Sequence, residues 1–193
     1  MLAVGALLPA VPREVLAVFR QASAQVAQGY TLRTLNPQQN ALVVAMVDLI
    51  IPATDTPGAK AARVNEFMDV ILTDWAEPDE RQNFLNGLAD VDKQSNELFG
   101  KNFVDTTTAQ QTVLLASLDD IASQARARKT HRTRTNNFYA DQNQQLKGQF
   151  FGVFRNMTLH GYYTSEIGFT QELKEEIVPG AQHGCVPVTD RKA

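Results

Sequence analysis

The segment Gly161–Gly168 contains the densest group of side chains in this sequence that could do chemistry. It reads GYYTSEIG, so phenols, hydroxyls and a carboxylate stand close together, and His160 precedes it directly. A histidine beside a carboxylate is a common general acid–base combination. One interpretation of the segment is therefore an active-site loop, with His160 or the later His183 acting as the base.

The rest of the sequence does not supply a framework for catalysis. It contains no Gly-x-Ser-x-Gly elbow, no phosphate-binding loop and no Gly-x-Gly-x-x-Gly fingerprint. The histidines are His131, His160 and His183, which are widely separated. His183 and Cys185 together would supply only two ligands, whereas structural zinc sites use four. We therefore predict no metal site and no cofactor site in this chain.

Carboxylates are plentiful, but their spacing singles out no acid–base pair. The solvent-exposed faces of helices in a helical protein carry many such side chains, so we expect these carboxylates to be solvated. The residues concerned are Asp48, Asp55, Glu66, Asp69, Asp74, Asp119, Asp120 and Glu166. The basic run Arg126–Arg134 is interpreted as a helix-end cluster that continues into a solvated loop, with contact to an acidic partner as the alternative.

Cys185 is the only cysteine in the sequence. This excludes an internal disulfide, a Cys-x-x-Cys-His haem attachment and a cysteine-ligated iron–sulfur cluster within the chain. The thiol lies in a stretch rich in glycine and proline, where deep burial is not expected. In a cytosolic protein such a thiol is usually inert, whereas in an exported protein it suggests a disulfide to another chain.

The composition is that of an ordinary globular protein with one domain. The chain has 193 residues, of which 44% are hydrophobic and 20% are charged, so it can bury a substantial core. A net charge of −3 predicts no general affinity for nucleic acid or anionic lipid. No apolar run approaches the roughly 18 residues that span a bilayer. We expect residues 1–11 (MLAVGALLPAV) to be the remnant of an export signal, with a short hydrophobic surface segment as the alternative.

Apolar residues recur at helical spacing in several segments, whereas no segment alternates as a strand would. Capping boxes that begin at Asn36 and Thr107 predict two of the helix starts. The apolar stripes of the predicted helices cover Val15–Val26, Leu42–Ile50, Val64–Trp75, Phe84–Val91, Val113–Ala125 and Leu146–Met157. We predict an all-α fold, with one compact helical domain over residues 12–177 and an extended C-terminal tail over residues 178–193.

Tyr162 and Tyr163 are expected just past the last predicted helix, which should end at Gly161. Tyrosine combines a large rigid area with a polar tip, which suits a contact with a partner protein. The alternative is that both rings pack back on the domain, and the sequence favours neither arrangement.

Several segments share their order and spacing with one known family. They are Leu49–Ala59, Val64–Trp75, Phe84–Leu88, Gly100–Phe103, Thr108–Gln111, Leu159–Gly168 and Val178–Cys185. Together they resemble the gluconate 2-dehydrogenase subunit 3 family, which comprises small subunits of periplasmic flavin-dependent sugar dehydrogenases. The resemblance extends over roughly residues 36–188, most of the domain. The family's twin-arginine export signal is absent from this sequence.

The resemblance implies a small all-α subunit without a redox cofactor. It implies a large partner flavoprotein of the glucose–methanol–choline type that carries FAD, often with a multihaem cytochrome c. It also implies export to the periplasm and a role in the folding, export or stability of the large subunit. We therefore expect an accessory subunit and not an enzyme. The alternatives are a free-standing envelope binding module and an independent enzyme. The expected partner-contact residues are Tyr162, Tyr163, Glu166, His183 and Cys185, the last as a candidate for an intersubunit disulfide.

Overall fold

The computed structural model of the chain describes residues 31–131 and 142–175, together with residues 18 and 21. In residues 125–131 and 142–148 it describes the backbone and not the side chains. Within these ranges the chain forms the α-helices α1 (Pro37–Ile50), α2 (Val64–Asp74), α3 (Pro78–Phe99), α4 (Thr108–His131) and α5 (Gln142–Tyr163). A 3-10 helix (Phe103–Asp105) precedes α4, and a π-helix (Gly168–Glu172) follows α5. No strand occurs in the described ranges, which confirms the all-α prediction. None of these helices combines the length and apolarity needed to cross a bilayer. The predicted tail, residues 178–193, lies outside the described residues.

The starts of α1 and α4 follow the capping signals in the sequence. The amide of Gln39 donates to Asn36 Oδ1 at 2.8 Å, and Gln39 Oε1 accepts from the Asn36 amide at 3.1 Å. Thr107 and Gln110 exchange the corresponding hydrogen bonds at 3.0 and 3.4 Å. Each box satisfies backbone amides that a helix start leaves without intrahelical partners. Both predicted capping boxes are confirmed.

Helix α5 lies at the centre of the fold, because it contacts each of the other four described α-helices. Phe84 of α3 packs against Phe150 and Phe154 of α5, with ring centroids 5.4 and 6.0 Å apart. Burial of an aromatic side chain of this size stabilises the fold by roughly 1.5–3 kcal/mol. This packing holds the middle of α5 against α3.

The prediction that the last helix ends at Gly161 is wrong. Helix α5 continues to Tyr163, and Gly161 is buried within it. A Cβ atom at Gly161 would lie 2.7 Å from the ring of Phe67 on α2. The glycine therefore gives space for the close approach of α2 and α5, and it does not act as a helix stop. As a result, Tyr162 and Tyr163 belong to the last turn of α5.

The expectation that Asp69 is a solvated carboxylate is also wrong. Its side chain is fully buried on α2 and accepts hydrogen bonds from three consecutive backbone amides. These are the amides of Arg33 (2.7 Å), Thr34 (3.0 Å) and Leu35 (2.6 Å). A buried charge is tolerated when it is fully hydrogen-bonded, and here it attaches the chain before α1 to α2. The helical spacing of α2 alone does not reveal these partners.

The chain between α1 and α2 is a loop of residues 51–63, as its two prolines and its glycine predict. The amide of Ala59 donates to the carbonyl of Ile51 at 2.9 Å, so the ends of the segment 51–59 lie close together. Ala59 is buried, whereas Ala53, Thr54 and Asp55 are exposed. The loop therefore has a packed base and an accessible tip.

Candidate functional site

The candidate functional site is the contact between the α1–α2 loop and the end of α5, called the junction below. It consists of residues 54–57 and residues 162–174. The Tyr162 hydroxyl donates to the Pro57 carbonyl at 2.7 Å, and the Tyr162 ring is only 1% exposed. Burial raises the pKa of the Tyr162 phenol, and the negative charge of Glu172 raises it further. The hydroxyl therefore stays protonated, as a donor to a carbonyl must be.

A second contact joins the same two segments. The Thr56 hydroxyl donates to a carboxylate oxygen of Glu172 in the π-helix. The Thr54 hydroxyl donates to Asp55 Oδ1 at 2.9 Å, and this bond is the main reason why the pKa of Asp55 is lowered. The backbone amide of Asp55 and the positive charge of Lys174 lower that pKa as well. The loop tip thus carries an ionised carboxylate next to the chain that follows the π-helix.

The hydroxyls of the turn after α5 are used to close the helix. Thr164 Oγ1 donates to the His160 carbonyl at 2.6 Å, and Ser165 Oγ donates to the Tyr162 carbonyl at 2.6 Å. Ser165 Oγ also accepts from the Gly168 amide at 3.1 Å. Such bonds satisfy carbonyls that a helix end leaves without intrahelical partners. Both hydroxyl protons are directed to backbone carbonyls, an arrangement that builds a helix end and does not activate a nucleophile.

Gly168 allows this turn to fold back against α5. A Cβ atom at this position would lie 2.1 Å from the Tyr162 carbonyl oxygen. Because the obstruction is backbone and not a movable side chain, any other residue would push the π-helix away from α5. The glycine is therefore a structural requirement of the junction.

The structure places the partner-contact residues expected from the sequence in different environments. Tyr162 is buried inside the chain, so its role here is to hold the loop. Tyr163 is 39% exposed, and its ring lies edge-on to that of Tyr162 with centroids 5.2 Å apart. Glu166 is exposed as well. His183 and Cys185 lie outside the described residues.

His160 lies in the last turn of α5. Its Nδ1 atom faces the Asn156 carbonyl at 2.7 Å, a contact within α5. Among the residues whose side chains the structure describes, no group of three or more His, Cys, Asp or Glu is placed to hold a metal ion. Residues 1–11 and the side chains of Arg126–Arg134 lie outside the described part of the chain.

Sequence reasoning missed three residues of the junction. Thr56 and Glu172 are separated by 116 positions, and Lys174 follows the π-helix. The threonines of the loop can be recognised in the sequence as turn-forming residues, but their spacing does not identify a distant hydrogen-bond partner. One signal was present in the sequence. The family resemblance includes both Leu49–Ala59 and Leu159–Gly168, and the structure brings these two segments into contact.

A family model described as gluconate 2-dehydrogenase subunit 3 matches residues 37–180. This range is most of the chain and includes both halves of the junction. It ends before His183 and Cys185. No curated protein and no solved structure matches the chain. The resemblance found in the sequence is confirmed by the family match: the chain belongs to the gluconate 2-dehydrogenase subunit 3 family.

Proposed function

We propose that this chain is a non-catalytic small subunit of a periplasmic FAD-dependent sugar, polyol or sugar-acid dehydrogenase. In this role it binds a flavoprotein large subunit of the glucose–methanol–choline type and assists its folding, export or stability. Membership of a family of dehydrogenase small subunits supports the proposal. A multihaem cytochrome c is a further candidate member of the complex.

The construction of the junction is the observation that favours docking over catalysis. The turn contains Thr164 and Ser165, whose hydroxyls are hydrogen-bonded to backbone carbonyls. Beside them, Tyr163 is 39% exposed and Leu173 is 46% exposed. An exposed tyrosine brings a large rigid contact area and loses little side-chain entropy on binding, which is typical of residues that dominate protein interfaces. The junction therefore suits a contact surface.

Co-expression tests the function directly. The flavoprotein large subunit is produced with and without this chain, and its solubility, flavin content and dehydrogenase activity are compared. We expect all three to fall strongly without the chain, because the large subunit lacks its partner during folding or export. The purified small subunit alone should show no turnover. A large subunit that is equally soluble, flavin-loaded and active in both cases would contradict the proposal.

Two substitutions of exposed residues test the contact surface. Tyr163→Ala removes an exposed ring at the junction, and we expect it to weaken binding to the large subunit by about 2 kcal/mol, roughly 30-fold. Val113→Ala on α4 is the matched control, since Val113 is 64% exposed. We expect its dissociation constant to stay within about twofold of wild type. Equal dissociation constants for the two variants, measured by surface plasmon resonance, would exclude Tyr163 from the interface.

Cys185 supports a separate test of the assembly. In the oxidising periplasm the thiol of Cys185, the only cysteine in the sequence, can form a disulfide only with another chain, and we propose that the other chain is the large subunit. Non-reducing gels of the intact complex should then show a covalent heterodimer that disappears with Cys185→Ser. Free alkylation of Cys185 in the intact complex would show that no bridge exists.

A further inference from the structure

Helix α1 is apolar on two opposite faces. One face carries Leu42, Val43, Met46 and Val47, all of which are buried in the core. The other face lines an open groove with the side chains of Ala41, Val44, Ala45 and Leu49. A helix that is apolar all round is normally covered on all sides. In the described residues, this second face is covered only in part, because Ala41 is exposed and Val44, Ala45 and Leu49 are half-buried.

The opposite wall of the groove is held in place by hydrogen bonds. It is formed by Val104 of the 3-10 helix together with Thr108 and Gln111 of α4, and the groove encloses about 380 Å³. The side-chain amide of Gln111 donates to the carbonyls of Phe103 (2.9 Å) and Thr106 (3.4 Å). Val104 remains 37% exposed at the rim. The groove is thus a preformed concave surface.

Two opposite charges line the same groove. Asp48 of α1 is half-buried, and Lys60 of the α1–α2 loop is exposed. Neither charged group makes a hydrogen bond or an ion pair with another described residue. A half-buried carboxylate without a partner loses part of its hydration and gains no compensating contact. A cation placed against Asp48 and an anion placed against Lys60 would supply those contacts.

The groove has the pattern of a helix-binding surface. Ala41, Val44, Ala45, Asp48 and Leu49 follow the spacing i, i+3, i+4, i+7 and i+8, which forms a ridge on one side of a helix. This ridge is about 12 Å long at 1.5 Å per residue. Its alanines allow a second helix to approach closely, since the separation of packed helices depends on the side chains at the contact.

We propose that this groove binds an amphipathic helix of the flavoprotein large subunit. The apolar stripe of that helix packs on Ala41, Ala45 and Leu49, with a basic side chain facing Asp48 and an acidic one facing Lys60. The inference rests on the proposed function, because a small subunit of a heteromeric complex requires a partner of different sequence. It places a second contact region on the chain, in addition to the junction.

Binding measurements with groove variants test the inference. Ala41→Trp fills the groove at an exposed position, and Lys60→Glu reverses one of its charges. Ala116→Trp, at an exposed position of α4 outside the groove, is the matched control. We expect each groove variant to weaken binding to the purified large subunit at least about tenfold, and the control to change it by less than about twofold. The probe is the large subunit that co-purifies with the wild-type chain.

The outcomes separate failure of this inference from failure of the proposed function. If the wild-type chain does not bind a large subunit, the proposed function fails and this inference fails with it. If the wild-type chain binds but the groove variants bind equally well, only the groove assignment is overturned. A wild-type dimer in light scattering that both groove variants convert to a monomer, with unchanged binding to the large subunit, would assign the groove to a second copy. Groove variants whose isolated Tm falls several degrees below that of Ala116→Trp would assign it to a segment of this chain.

Discussion

Replacing Tyr162 by phenylalanine removes one oxygen atom from the junction. The change deletes the 2.7 Å hydrogen bond to the Pro57 carbonyl, while the ring, which is 1% exposed, keeps its packing. A hydrogen bond of this kind contributes about 1 kcal/mol net, and a half-buried carbonyl left without a donor adds part of a desolvation cost of ~1–3 kcal/mol. We expect the free energy of unfolding to fall by about 1–2 kcal/mol, which lowers the Tm of a domain of this size by roughly 2–8 °C.

Urea denaturation measures this change. The unfolding transition is followed by circular dichroism and by the fluorescence of Trp75, the single tryptophan. Tyr163→Phe is the control, since the Tyr163 hydroxyl makes no hydrogen bond within the described residues and its side chain is 39% exposed. We expect this control to stay within about 0.5 kcal/mol of wild type. Equal losses in the two variants would refute the assignment of the Tyr162–Pro57 bond as the main contact of the junction.

Further predictions concern the buried carboxylate and the titrating groups of the junction. Asp69→Ala should lower the free energy of unfolding by at least about 3 kcal/mol, because three backbone amides lose their acceptor. The control Asp74→Ala breaks an exposed ion pair and should lower the free energy of unfolding by less than about 1 kcal/mol. Similar urea midpoints for the two variants would contradict this. Thr54→Val should raise the pKa of Asp55 towards its ordinary value in an NMR titration, and an unchanged midpoint would exclude the hydroxyl as the main cause. Because the pKa of Tyr162 is raised in the folded state, that state binds the phenolic proton more tightly than the unfolded state does. The free energy of unfolding should therefore fall as the pH rises above about 10, and less steeply in Tyr162→Phe.

The residues of the candidate site were only partly predictable. The segment Gly161–Gly168 was identified because tyrosines, hydroxyls and a carboxylate lie close together in the sequence. Whether Tyr162 points inward or outward depends on the position of the α1–α2 loop, and Pro57 is 105 positions away. From the sequence alone, the hydroxyl of Ser165 could either hydrogen-bond to a catalytic base or close a helix end, because the path of the turn is not known. Chemical type was therefore readable from the sequence, whereas hydrogen-bond partners were not.

Local signals determined the helices, because capping and apolar periodicity act over a few residues. The boxes at Asn36 and Thr107 predicted the starts of α1 and α4, and the family resemblance followed from the order of such segments. Long-range packing decided what the local pattern left open. Gly161 has the sequence pattern of a helix stop, yet it allows the close contact with Phe67. Asp69 has the sequence pattern of a solvent-exposed helix face, yet it is buried and accepts hydrogen bonds from three backbone amides. The physical reason is the same in both cases. The free energy of a glycine or a buried carboxylate depends on atoms that the fold brings from distant parts of the chain, and no spacing along the sequence specifies those atoms.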